Sequence, residues 1–224
     1  MGSIWRTLDR RTSRDIALAC LAVWLYGLSY GAIAITHGFA LWVPAALSVL
    51  VMAGSSELLF VGVIAAGGNP IAAALAGVLV NARHLPYGLA LPPGVTGTGW
   101  RRIFGTQLMN DESVVFALGQ DSREKQRAAF WVCGFGVLVC WPGGAVMGWL
   151  LGGIVHNTSA FGLDTVFPAI ILALVFPALR DRVTLRAGLT GAGIALVSVP
   201  FLPAGLPVLL ALGAVITACW HSAS

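Results

Sequence analysis

Long apolar runs, interrupted at a few places by compact polar clusters, set the pattern of this chain. A helix needs about 20 apolar residues to cross roughly 30 Å of hydrocarbon. Residues 16–36 carry no charge, and residues 41–66 carry one, Glu57. Residues 69–91 hold Arg83 and His84 near their far end, and residues 128–155 are uncharged. Residues 163–179 hold only Asp164; 187–200 and 204–220 follow, parted by Pro200-Phe201-Leu202-Pro203. An eighth segment, 103–119, is short and contains Asn110-Asp111-Glu112. The pattern predicts an all-α, polytopic membrane helix bundle of about seven or eight spans. It divides into a basic cytoplasmic N-terminus, residues 1–15, and one transmembrane domain, residues 16–221.

Composition strengthens this reading. The 224 residues are 58% hydrophobic and 10% charged, with a mean hydropathy of +0.86. Soluble domains carry about a quarter charged residues, so this chain has too little polar surface to cover itself in water. The net charge of +4 is explained by basic loops and requires no nucleic acid. Four cysteines, Cys20, Cys133, Cys140 and Cys219, lie in apolar stretches at spacings that suit packing rather than metal or redox chemistry.

Arginine placement orients the chain. Arg6, Arg10, Arg11 and Arg14 precede the first span, which reads as a retained signal-anchor. Arg123, Lys125 and Arg127 form a second basic segment, and Arg180, Arg182 and Arg186 a third. All three fit the cytoplasm if an even number of crossings separates them. Between the first two, this is met if 103–119 crosses as a short or broken span. It is also met if a stretch near Glu57 or Arg83 is re-entrant. A faint repeat links residues 39–45 to residues 161–169, as in the paired halves of many transporters.

Three clusters carry candidate chemistry, because polar groups inside a membrane are costly and mark function. In Ala53-Gly54-Ser55-Ser56-Glu57, the glycine and serines disfavour a helix middle. They predict an unwound point, with Ser55 or Ser56 starting a half-helix whose N–H groups could hold a carboxylate. Glu57 beside it is expected to carry protons. In residues 81–88, Pro86 should kink or break the helix. There Asn81 and His84 share a face, and Arg83 could meet an anionic group or pair with Glu57. In Asn110-Asp111-Glu112-Ser113, either acid could face a cavity.

These motifs together resemble the AzlC family, the large subunit of bacterial branched-chain amino acid exporters. The resemblance rests on residues 27–32, 53–57, 79–88 and 110–112, and extends over roughly residues 16–180. It implies a multi-pass protein of the bacterial inner membrane with a cytoplasmic N-terminus. It also implies export of apolar amino acids together with a small AzlD-type membrane subunit. The expected substrate-binding residues are Gly54, Ser55, Ser56, Glu57, Asn81, Arg83, Asp111 and Glu112, with Glu57 and His84 coupling transport to protons. The sequence carries no phosphate-binding loop for a nucleotide, so an ion gradient is the expected drive, without cofactor or metal. The alternatives are export of another small organic solute on the same architecture, or an intramembrane enzyme. The enzyme reading lacks a nucleophile with a paired base.

Overall fold

A computed structural model describes residues 7–154, 176, 178–202 and 206–211. All regular structure among them is helical: α1 Arg10–Thr36, α2 Trp42–Leu50, α3 Gly54–Ala65, α4 Pro70–Asn81, α5 His84–Ala90, α6 Trp100–Gln107, α7 Asp111–Leu118, α8 Arg123–Ile154, α9 Arg182–Ser198 and α10 Leu206–Ala211. The expected span 163–179, apart from residues 176, 178 and 179, and the second copy of the repeat lie outside the described residues. Only the α10 portion of 204–220 lies within them.

Two long helices, α1 and α8, form the axis of the molecule, and each is long and apolar enough to cross a membrane. Glycine allows them to touch. A Cβ on Gly31 would run into the Ala145 carbonyl, and one on Gly148 into the Leu28 carbonyl. Gly136 faces Cys20 and Gly152 faces Ala32 and Ile35, so residue numbers rise together and the two helices run parallel. The small-residue pairs Gly27/Gly31 and Gly144/Gly148 are therefore occupied by each other. At the far end, the Trp149 indole donates to the Phe39 carbonyl at 2.8 Å and ties down the turn after α1.

The shorter helices come in pairs. In α6–α7, Phe104 meets Trp131 and Phe135, and Gly134 abuts Leu108. The chain thus climbs alongside α8 to the turn at residues 108–110. It then returns, because Gln120 receives a hydrogen bond from Gln126 near the start of α8 at 3.1 Å. Residues 103–119, expected to cross as a short or broken span, are broken into two helices that fold back on each other as a hairpin. The physical reason is the Asn110 cap: Asn110 and Ser113 exchange side chain-to-backbone hydrogen bonds, which starts a new helix in a new direction.

Residues 41–66 are also not one rod. α2 stops at Leu50, Met52 adopts a left-handed φ of +50°, and α3 starts at Gly54. Leu47 and Phe60, on opposite sides of this turn, line one cavity with Ala73, Gly77 and Asn81 of α4. The pair α2–α3 therefore folds back on itself. By contrast, α4 and α5 continue in one direction, since Ala82 and Arg83 keep right-handed helical angles. The kink expected at Pro86 appears four residues earlier. Proline cannot donate to the carbonyl of residue i−4, here Ala82, and its ring crowds it. The Leu85 N–H takes that carbonyl instead, at 3.0 Å.

α4–α5 ends near the start of α8, where Arg123 donates to the Pro93 carbonyl (3.2 Å) and Trp131 to the Val95 carbonyl (2.9 Å). Because α1 and α8 run parallel, the basic residues at their starts, Arg10, Arg11 and Arg14 with Arg123, Lys125 and Arg127, lie at the same end of the molecule. The outer surface is apolar: Leu89 is 88% exposed, and Leu50, Leu85, Ile103 and Val139 are also bare. Such a surface suits hydrocarbon as solvent.

Two outcomes test this packing. Gly31→Ala and Gly148→Ala should each lower the melting temperature in detergent, by overpacking worth about 1–3 kcal/mol. Gly62→Ala, whose Cβ would meet nothing within 4 Å, should not. In a variant lacking the four cysteines, single cysteines replacing Arg102 and Ser122 should react with an impermeant thiol reagent from the same membrane side. A cysteine replacing Ala66 should react from the other side; opposite-side labelling of 102 and 122 would disprove the α6–α7 hairpin.

Candidate functional site

The two hairpin turns and the α4–α5 kink meet beside α1 and α8. They enclose a cavity of about 290 Å³, lined on one wall by Met52–Ser55, Arg83, His84 and Asn110–Glu112. The opposite wall is apolar: Ala19, Ala22, Val23 and Tyr26 of α1, with Val137 and Trp141 of α8. Three clusters that lie far apart in sequence are thus brought together.

Each turn presents backbone or side-chain groups to this space. The first-turn N–H groups of α3 at Gly54 and Ser55 have no intrahelical acceptors. The Ser56 and Glu57 N–H groups both bond the Ala53 carbonyl, at 3.0 and 3.1 Å. The Ser55 hydroxyl, Arg83 Nε and Asn110 Nδ2 are buried and make no hydrogen bond within the described residues. Buried polar atoms are almost always satisfied, and these three converge on one cavity.

The acids divide their roles. Asp111 is engaged twice: its Oδ2 lies 3.2 Å from Arg83, and its Oδ1 accepts from the Tyr87 hydroxyl at 2.7 Å. Arg83 therefore pairs with Asp111 and not with Glu57 as one expectation had it, and the pair ties the α4–α5 kink to the α7 hairpin. Glu112, next along α7, forms no ion pair among the described residues, and its carboxyl bonds the Glu112 backbone N–H. Its carboxyl group lines the cavity without a basic partner among the described residues.

Glu57 and Ser56 sit elsewhere. Successive helical residues turn by about 100°, so Glu57 points away from the side that Ser55 presents. Glu57 is 1% exposed, and its Oε1 accepts from the Ala53 N–H (2.9 Å) and from the Trp141 indole (3.0 Å). It thus closes the start of its own helix in the manner of a capping box. The expected cap by Ser55 or Ser56 is not formed: the N-cap is Ala53, and the Ser56 hydroxyl donates backward to the Ala53 carbonyl at 2.8 Å. Ser56, Glu57 and Asn81 line a second cavity of about 250 Å³ between α2, α3 and α4. Of the residues expected to form one site, Gly54, Ser55, Arg83, His84, Asp111 and Glu112 share the main cavity, and Ser56, Glu57 and Asn81 do not.

Sequence reasoning missed three residues that build the site. Trp141 stacks on Tyr30 with centroids 5.2 Å apart and holds Glu57. Gln107 donates to the Val49 and Leu50 carbonyls, each at 2.9 Å, and so joins one hairpin tip to the end of α2. Tyr87 anchors Asp111. The available signal was a polar or N–H-bearing side chain inside or beside an apolar run, which must find a partner.

A helical, lipid-facing protein whose interrupted helices meet around a buried polar cavity is built as a membrane transporter is built. The sequence profile of the AzlC protein family matches residues 19–155, which include every cavity residue, and the chain belongs to that family. It is 28% identical over 199 residues to the branched-chain amino acid transport protein AzlC of Bacillus subtilis (strain 168), covering 85% of this chain and 77% of that protein. No solved structure matches the chain.

The Glu57 lock has a measurable consequence. Trp141→Phe keeps the ring beside Tyr30 but deletes the indole N–H, leaving a buried carboxylate oxygen with one donor fewer. That should cost about 1–3 kcal/mol, read as a lower melting temperature in detergent. Glu57→Gln should weaken the same contact, and the double variant should lose less than the sum of the two. Additive losses would show that the two side chains act independently.

Proposed function

We propose that this chain is the membrane subunit of a secondary exporter for branched-chain amino acids, driven by an ion gradient. Amino-acid transport is supported by the family and by the named relative. The observation that carries the finer reading is the cavity itself, which offers complementary charges to a zwitterion and an apolar wall to its side chain. The substrate carboxylate sits at the α3 N-terminus, on the Gly54 and Ser55 N–H groups with the Ser55 hydroxyl. Helix starts favour such an anion through their free N–H groups and dipole. The substrate ammonium meets Glu112, whose charge has no other side-chain partner.

The aliphatic side chain lies against Val23, Val137 and Trp141. Apolar walls separate single methylenes poorly, which accounts for a set of substrates rather than one. Arg83 is neutralised by Asp111 and holds the site together from behind. Of the two groups expected to couple proton movement, His84 opens on the cavity and Glu57 does not. Coupling is therefore assigned to His84, with Glu57 fixing the turn. The chain works with a small AzlD-type membrane subunit in the inner membrane of a bacterium, its N-terminus cytoplasmic. Full efflux from vesicles holding this chain alone would remove the partner from this reading.

Efflux of labelled valine from preloaded cells tests the assignment. Glu112→Gln should leave the protein inserted but strip the ammonium of its partner, a loss of at least about 2 kcal/mol and so roughly 30-fold in apparent affinity. Ser55→Ala should cost about tenfold or less, as one hydrogen bond does. Glu57→Gln should leave valine affinity nearly unchanged. Unaltered efflux in Glu112→Gln would refute the proposed ammonium site.

A further inference from the structure

Away from both of these cavities, a further pocket of about 480 Å³ lies between α6 and the start of α8. Its lining is Trp100, Arg101, Phe104, Arg127, Trp131 and Phe135. The two guanidinium groups have no carboxylate in the pocket, and neither forms an ion pair among the described residues. Glu124 shares a neighbouring groove with Arg127 and makes no ion pair either. Arg101 instead lies over the Trp100 ring, 5.9 Å from its centroid.

The chemistry is ordered by depth. Arg127, Trp131, Phe135 and Val139 recur every four residues, so they climb one face of α8. A cation comes first, then an indole, then a phenyl ring, then an aliphatic side chain that is 71% exposed. α6 repeats the order beside it, with Arg101 followed by Phe104, which packs on Trp131 and Phe135. Trp100 and Ile103 are left bare on the same hairpin, 75% and 76% exposed. A glycerophospholipid has the same sequence of parts: a charged headgroup, a polar–apolar boundary, then acyl chains. Tryptophan favours that boundary, and arginine pairs with phosphate through its planar fork.

We propose that this pocket binds one anionic glycerophospholipid, its phosphate between Arg101 and Arg127 and an acyl chain along Phe104, Phe135 and Val139. The lipid would then bridge the α6–α7 hairpin to α8, the helix against which that hairpin packs.

The test uses the full chain in detergent, supplied with equal amounts of phosphatidylglycerol and phosphatidylcholine and examined by native mass spectrometry. A discrete phosphatidylglycerol adduct should be retained in preference to phosphatidylcholine. Arg101→Gln and Arg127→Gln should each reduce that preference about fivefold, the weight of one basic residue beside an anionic lipid. Arg102→Gln, which lies outside the pocket lining, should leave it intact. Equal retention of both lipids, or an equal loss in Arg102→Gln, would overturn the proposal. So would displacement of the lipid by inorganic phosphate alone, which would make the site one for a free anion. Should a variant fail to fold, brominated lipids decide on the intact chain: brominated phosphatidylglycerol should quench tryptophan fluorescence more than brominated phosphatidylcholine, and equal quenching would refute the site.

Discussion

A backbone N–H or carbonyl left bare in hydrocarbon costs several kcal/mol, and the arrangement of this protein follows from how that constraint is met. Wherever a helix is interrupted, the freed backbone groups are taken up by side chains or turned toward a cavity. At the first turn, Glu57 accepts from the Ala53 N–H and Gln107 caps the Val49 and Leu50 carbonyls. At the second, Ser113 receives the Asn110 N–H and donates to the Leu108 carbonyl at 2.9 Å. Gly54 and Ser55, whose N–H groups have no intrahelical acceptor, line the central cavity.

The same constraint links folding to transport. Gln107 lies on one hairpin and its acceptors on the other, so the two tips are positioned against each other rather than separately. Arg83 and Tyr87 fix Asp111 from the α4–α5 kink, which brings the third interruption into register. The parallel glycine contact of α1 and α8 supplies the rigid wall against which these three elements close. Met52 carries a left-handed φ of +50° at the cavity edge. A non-glycine residue there costs of the order of 1–3 kcal/mol, and burial at 3% exposure with the surrounding hydrogen bonds holds it.

Charge is allocated by burial and partner. Asp111 and Arg83 neutralise one another and act as a strut, whereas Glu112 lines the cavity without a basic partner among the described residues. Glu57 is the most deeply placed acid of the three, and it serves the backbone and Trp141. An acid in the middle of an apolar run is therefore not automatically the group that meets the ligand. It can equally be the group that makes an interrupted helix tolerable.

Much of this was legible in the residues alone. Apolar runs with few charges determine a helical membrane chain, because hydrocarbon penalises every other backbone solution. Gly54-Ser55-Ser56 and Pro86 each mark a helix interruption through local chemistry that needs no tertiary contact. The direction taken after each interruption was not legible. A turn at residues 51–53 or 108–110 reads alike whether the next helix continues or doubles back, and only its packing on α4 and α8 selects the hairpin. Pairing was hidden for the same reason. Glu57 meets Trp141 across 84 positions and Gln107 meets Val49 across 58, and sequence spacing carries no information over such separations. Which face of α3 looks into the cavity, and so which of Ser55 and Glu57 can touch a ligand, was decided by the rotation of that helix against α1 and α8.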